Sequence, residues 1–269
     1  MNRLKAIIFD MDGTLADTEE IHRKAFNAAF DQFNIPCQWD QQLYKRLLSI
    51  SGGRERIKQY FIENNLMPDY EGTINDLALS IHKTKSEIYR QLLIDGHVGL
   101  RIGVERLIEE AKLKNITMAV ATSSSTINVE TLLKSTLGSN ALDLFEAIVT
   151  CDIVENKKPS PAVYKRVLKQ LDLSASDCVA LEDTFNGNRA ALSANIITVI
   201  TTHFFTLDDN FDGASLVINH LGEQNLPMTA QFGESYAAKC VDIPLLELIL
   251  EDKYQRNSCQ KIAAFSAEQ

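Results

Sequence analysis

Five short apolar runs, each closed by small or polar residues, constrain this chain more than any other feature. They are Ala6–Phe9, Thr117–Ala121, Ala147–Thr150, Cys178–Leu181 and Ile196–Ile200. Runs this short and this uniformly apolar read as strands buried on both faces, as in a parallel sheet. Helical spacing recurs between them: Val104, Leu107, Ile108 and Ala111, then Val129 to Leu133, Val163 to Leu171 and Arg189 to Ala194. Strands alternating with helices predict an α/β fold with a doubly wound parallel sheet.

The alternation is interrupted after the first run. Asp17 with Glu20 fits a capping box, and Ile21, Ala25, Phe26, Ala29, Phe30 and Phe33 follow at helical spacing. From there to about His97 no strand-like run occurs, while Ile57, Phe61, Leu77, Ile81, Ile88 and Leu92 mark further helices. The pattern predicts a helical domain over 17–96, inserted into an α/β core formed by 1–16 and 97–269. The crevice between the two would be the natural binding site. Beyond Gly222 the text is less regular; 244–269 reads as a C-terminal extension, with a short helix over Pro244–Leu250 and a loosely held tail from Lys253.

The chain has 269 residues, enough for one large domain or two small ones, and its 45% hydrophobic content is that of a globular protein. A net charge of −9 argues against nucleic acid or an anionic membrane as partner, although local cations could still hold an anionic substrate. Neither a signal-peptide pattern nor a bilayer-spanning run is present, so a location in the cytoplasm or an organelle stroma is expected. The cysteines Cys37, Cys151, Cys178, Cys240 and Cys259 are scattered and form no C-x-x-C, which predicts reduced thiols.

The first run ends in Asp10-Met11-Asp12-Gly13-Thr14. Side chains at i and i+2 of an extended chain point the same way, so Asp10 and Asp12 share a face at the carboxyl end of a central strand. Open α/β sheets bind ligands there. Two carboxylates so close repel unless a cation balances them, and Mg²⁺ is the hard cation that takes carboxylate and phosphate oxygens together. Taken alone, the segment also fits an ordinary turn. The second run ends in Thr122-Ser123-Ser124 and the fourth in Glu182-Asp183, with Asn156-Lys157-Lys158-Pro159 in a loop between them. Singly these read as helix caps or a solvated loop. Jointly they supply what phosphoryl transfer needs: a carboxylate nucleophile, a second carboxylate for the proton, metal ligands, a hydroxyl donor and a fixed lysine.

In order, Asp10-Met11-Asp12-Gly13-Thr14, Thr122, Lys158-Pro159 and Glu182-Asp183 match the four motifs of the haloacid-dehalogenase-like (HAD) phosphohydrolases, a resemblance that covers residues 4–220. Within that superfamily the chain resembles the branch of β-phosphoglucomutases and CbbY-type xylulose-1,5-bisphosphate phosphatases. The matching segments are Asp17–Asn27, Leu43-Tyr44 through Gly52–Arg56, His82–Lys85, Leu181–Gly187 and His203–Thr206. The resemblance implies a Rossmann-like core with a helical cap. Asp10 would be the nucleophile, Asp12 the general acid and base, and Thr122 and Lys158 the holders of the phosphoryl group, with Ser123 and Ser124 beside them. Asp10, Asp183, Glu182 and the carbonyl of Asp12 would hold Mg²⁺. From the cap, Asp17, His22, Tyr44, Gly53, Arg54 and Lys85 would meet the sugar and a distal phosphate. Arg54 stands where the bisphosphatases usually carry Lys, and Asp17 where they often carry Glu.

The implied activity is a Mg²⁺-dependent sugar-phosphate phosphatase working through an aspartyl-phosphate, as a monomer, on xylulose-1,5-bisphosphate or a related small sugar phosphate. A phosphomutase with the same intermediate is the nearest alternative, and a non-catalytic binding protein on the same fold is a third.

Overall fold

The computed structural model describes residues 4–50, 52–66, 70–233 and 236–253; the tail expected after Lys253, including Cys259, lies outside them. Strand β1 (Ala6–Phe9) is followed by helices α1 (Glu19–Gln32), α2 (Gln41–Leu47), α3 (Gly53–Glu63) and α4 (Ile74–Ile94). The chain then alternates through α5 (Val104–Leu113), β2 (Thr117–Ala121), α6 (Thr126–Leu137), β3 (Ala147–Val149), α7 (Ala162–Leu171), β4 (Cys178–Glu182), α8 (Phe185–Ser193) and β5 (Ile197–Thr201). Strands β6 (Leu216–Ile218) and β7 (Ala230–Gly233) follow, and a last helical stretch covers 243–253. Two compact units result: Met1–Ala16 with Leu100–Gln269, and Asp17–Gly99.

The α/β unit holds one sheet in the order β3-β2-β1-β4-β5-β6-β7. All neighbours pair in parallel except β6 with β7. Strand β1 is flanked by β2 and β4, with Ile8 level with Ala119 on one side and Ala180 on the other. Its residues are completely buried, as a strand covered by helices on both faces must be. The chain winds outward from β1 to β3 on one side and from β4 onward on the other, so the topological switch lies at the carboxyl ends of β1 and β4.

One arginine joins three segments of this unit. Arg101 donates to the carbonyls of Thr201 (2.9 Å), Thr202 (2.7 Å) and Asn219 (2.8 Å), and to that of Gly13. One guanidinium thus ties the loop after β1 to the ends of β5 and β6. Ala16 also forms an antiparallel bridge with Leu100, and Arg101 N–H donates to Leu15 O at 2.9 Å. The two points at which the chain leaves and re-enters this unit are therefore laced side by side.

The helical unit is built around Trp39, fully buried with ring centroids 4.8 Å from Phe26 and Phe30. Asn27 satisfies both backbone groups of Trp39, accepting its N–H at 2.8 Å and donating to its carbonyl at 2.9 Å. Helix α1 starts differently from the expected capping box. Thr18 is its N-cap, without a side-chain capping bond. The Glu20 carboxylate instead accepts two N–H groups of Arg23, at 2.9 and 2.6 Å, which draws it away from the helix start. A complete capping box does open α4, between Thr73 and Asp76. Cys37, Cys151, Cys178 and Cys240 are free thiols. Among the described residues no helix is long and apolar enough to cross a membrane.

Candidate active site

The switch point gathers charge. Asp10, directly after β1, donates its N–H to Leu181 O at 2.9 Å, which fixes it beside the end of β4. Glu182 closes β4 and Asp183 follows it; all three acids are buried, and one oxygen of each lies within 4.8 Å of the others. Lys158, from the loop before α7, donates to Asp10 Oδ1 (2.5 Å), Glu182 Oε1 (2.6 Å) and Ala121 O (2.8 Å). Those bonds use the whole donor capacity of an ammonium group. From the first turn of α7, Tyr164 also donates its hydroxyl to Glu182 Oε1 at 2.5 Å.

Two glycines make this density possible. A Cβ on Gly187 in α8 would fall 1.8 Å from Glu182 Oε2. Gly13, at φ +80°, would place a Cβ 2.1 Å from Asp183 Oδ2. Asp183 is held at both oxygens: Thr14 donates its hydroxyl to Oδ1 at 3.2 Å, and His203 Nε2 lies 2.9 Å from Oδ2. At the end of β2, buried Thr122 accepts the Ser124 N–H at Oγ1 (3.0 Å), and Ser124 Oγ donates to Asp12 Oδ2. Ser123 is exposed.

Electrostatically the cluster carries an excess of negative charge. Burial raises the Asp10 pKa well above its ordinary value; Lys158 opposes the rise, while Glu182 and Asp183 add to it. Glu182 is raised by burial too, again against Lys158. Burial works against the charge on Lys158, yet Asp10 and Glu182 hold its pKa above the usual lysine value. Three buried carboxylates, two of them bonded to one lysine, offer oxygens of the kind a hard divalent cation takes. Asp10, Glu182 and Asp183 could hold one. The Asp12 carboxylate is outside that group and faces Ser124, so a role for Asp12 toward a metal falls to its backbone carbonyl.

The sites expected in the helical unit have varied surroundings. Lys85 is buried, with Nζ 2.6 Å from His22 Nδ1 and over the rings of Phe26 (4.8 Å) and Tyr89 (5.0 Å). His22 itself stacks on Tyr89 at 3.9 Å. Tyr44 is buried and donates its hydroxyl to Glu19 at 3.0 Å. Gly53 opens α3, where a Cβ would meet the His82 ring at 2.7 Å. Arg54 is exposed and paired with its neighbour Glu55 at 2.9 Å. Asp17 is exposed as well. The two cations expected to act together thus differ: one is packed among aromatic rings, the other sits in an exposed ion pair.

Residues 7–201 match the family model of haloacid dehalogenase-like hydrolases. The chain belongs to that family. This hydrolase is 42% identical over 229 residues to the plasmid-borne protein CbbY of Cupriavidus necator, an alignment covering 84% of this chain and 89% of that protein. A crystal structure of mutant CbbY from Rhodobacter sphaeroides in complex with xylulose-1,5-bisphosphate aligns with a TM-score of 0.73 at 39% identity, covering 82% of this chain and 98% of that one. The β-phosphoglucomutase of Bacillus subtilis is 29% identical over 234 residues, 87% of this chain and 97% of that protein. The chain is accordingly an enzyme, a HAD-type phosphatase.

Sequence reasoning assigned no role to Tyr164, His203 or Arg101. Tyr164 looks like one more apolar position of an amphipathic helix, and Arg101 like any cation in a loop. His203 lies within a segment that resembles the family, which was the one available signal.

Proposed function

We propose that this enzyme is a Mg²⁺-dependent sugar-phosphate phosphatase working through an aspartyl-phosphate on Asp10, with xylulose-1,5-bisphosphate as its favoured substrate. One observation carries the reading: three buried carboxylates cluster at the carboxyl ends of β1 and β4, and two of them, Asp10 and Glu182, share a single lysine. The likeness to CbbY bound to xylulose-1,5-bisphosphate and to a phosphorylated-carbohydrate phosphatase of Thermotoga maritima supports the substrate class.

Asp10 attacks phosphorus, forming an acyl phosphate as the bond from phosphorus to the sugar oxygen breaks. Asp12, oriented by the Ser124 hydroxyl, gives its proton to the departing oxygen and later takes one from the water that hydrolyses the acyl phosphate. Thr122 accepts the Ser124 N–H and offers its own hydroxyl proton to a phosphoryl oxygen. Lys158 favours the ionised form of Asp10 against the effect of burial and offsets charge on the transferring group. Held by Asp10, Asp183 and the Asp12 carbonyl, Mg²⁺ would supply charge neutralisation at the phosphoryl oxygens. Glu182, with Oε1 already taken by Lys158 and Tyr164, suits a supporting role reached through water. Lys85, with His22, Tyr44, Gly53, Arg54 and Asp17, would receive the sugar and its distal phosphate.

The similarity to a β-phosphoglucomutase favours one second reading, in which the acyl phosphate returns to the sugar. The deciding experiment incubates the enzyme with a panel of sugar mono- and bisphosphates, with Mg²⁺ and with EDTA. Inorganic phosphate released fastest from xylulose-1,5-bisphosphate, and only with Mg²⁺, is the expected result. An isomeric sugar phosphate without phosphate release would establish the mutase, and turnover unaffected by EDTA would overturn the metal assignment.

A further inference from the structure

We propose that His203 is a positioning residue that sets the affinity of the acidic cluster for its divalent cation, acting through Asp183. The inference rests on the reading of Asp10, Glu182 and Asp183 as a metal site. His203 stands two residues beyond β5, with its side chain 8% exposed and Nε2 2.9 Å from Asp183 Oδ2. Its other ring nitrogen settles the tautomer. Phe205 N–H donates to Nδ1 at 3.3 Å, so in the neutral ring Nδ1 carries the lone pair and Nε2 the proton. The imidazole is therefore a hydrogen-bond donor to Asp183 by construction of its own loop.

That loop is braced. His203 N–H donates to Thr206 Oγ1 at 3.2 Å, Thr206 N–H returns to His203 O at 2.9 Å, and the Phe205 ring meets the imidazole edge-on at 6.0 Å. Gly13 leaves the line between donor and acceptor clear, since a Cβ there would lie 2.8 Å from Nε2 and 2.1 Å from Asp183 Oδ2. On the opposite oxygen, the Thr14 hydroxyl donates to Oδ1 at 3.2 Å. Donors from two separate loops thus pin both oxygens of one carboxylate. Each oxygen keeps a further lone pair for a cation, and the carboxylate is aimed before the cation arrives. Losing an outer partner of a metal ligand typically costs about 10–100-fold in metal affinity.

The test is calorimetric titration of the full chain with Mg²⁺, without substrate, for the wild type, His203→Phe, His203→Gln and Asp183→Asn. His203→Phe should bind Mg²⁺ about 10–100-fold more weakly and raise the Mg²⁺ needed for half-maximal turnover by the same factor, with kcat at saturating Mg²⁺ within about threefold. His203→Gln, whose amide N–H can still reach Asp183, should recover most of the affinity. His203→Met removes the donor with an apolar side chain and gives the same answer should the Phe variant not fold. Wild-type Mg²⁺ affinity in His203→Phe or His203→Met, with Asp183→Asn defective, would overturn the role of His203 alone. Absence of Mg²⁺ binding by the wild type would instead overturn the metal site itself.

Discussion

The two units of the molecule bury charge of opposite sign. In the α/β unit Asp10, Glu182 and Asp183 cluster together, and Lys158 pairs with the first two. Among the described residues of the helical unit the buried charged ones are Arg56 and Lys85. Arg56 donates to the carbonyls of Leu47 (2.9 Å) and Ile50 (3.2 Å) and lies 5.4 Å from the Tyr44 ring centroid, while Lys85 rests over Phe26 and Tyr89. The physics differs accordingly. Clustered carboxylates raise one another's energy until a cation joins them. Cations over aromatic faces and carbonyl dipoles are stabilised in place by partial charges. One unit thus carries uncompensated negative charge, whereas the other holds its cations against rings and carbonyls.

The largest expected effect breaks the acidic side. Asp10→Asn should lower turnover on the order of 10⁴-fold or more, because an amide cannot attack phosphorus. Its circular dichroism and melting temperature should match or exceed those of the metal-free wild type, since one buried like charge is gone. Single-turnover phosphate release measures the first, and activity within tenfold of wild type would refute the nucleophile.

On the cationic side, Lys85→Met keeps an apolar stem and removes the charge. If the helical unit grips a distal phosphate, kcat/KM for a bisphosphate should fall about ten- to a hundredfold, the equivalent of ~1.5–3 kcal/mol for a charge-assisted bond. Hydrolysis of a small aryl phosphate, which has no second phosphate, should be nearly unchanged. Equal losses on both substrates would assign Lys85 to packing. Arg54→Ala should act in the same direction but by roughly threefold or less, as befits an exposed ion pair. A larger loss for Arg54 than for Lys85 would invert the contrast between the buried and the exposed cation.

The smallest effect is on stability. Asp10 and Glu182 have folded-state pKa values raised above the ordinary 3.8 and 4.5. An acid of that kind binds its proton more tightly when folded, so its contribution to stability is present at low pH and declines as pH rises from the ordinary carboxylate range toward the raised values. The metal-free enzyme should therefore melt a few degrees lower at about pH 7 than at about pH 5 on account of this pair, and Mg²⁺ should restore more at the higher pH. Scanning calorimetry at both pH values checks it; identical Mg²⁺ stabilisation would show that the carboxylates are already balanced.

The legible parts of the fold were those whose signal is local. Strands β1, β2, β3, β4 and β5 are mostly buried, and each was found within a residue of its limits because no charged residue interrupts the apolar run. Strand β6 spans three residues, and β7, Ala-Gln-Phe-Gly, pairs antiparallel to it, so neither offered a run long enough to see. The motif residues could be named because charge at the end of an apolar run is conspicuous. Their partners could not. Tyr164 meets Glu182 eighteen residues away, and His203 meets Asp183 twenty residues away, across connections that no periodicity encodes. The same limit explains α1: Asp17 and Glu20 have the spacing of a capping box, but Arg23 competes for Glu20.

The lacing of Ala16 to Leu100, with Arg101 N–H on Leu15 O, makes Asp17–Gly99 a loop from the point of view of the sheet. Its ends are closed by hydrogen bonds that belong to the host. The entropy of closing such a loop grows only logarithmically, by ~0.6 kcal/mol for each doubling of its length. The sheet is therefore nearly indifferent to what is inserted there. Trimming the segment to a short turn, or exchanging it for another helical block, would leave the carboxylate cluster and its frame standing. In evolutionary terms, the inserted unit could be exchanged in one piece of the gene while the acidic centre is inherited intact.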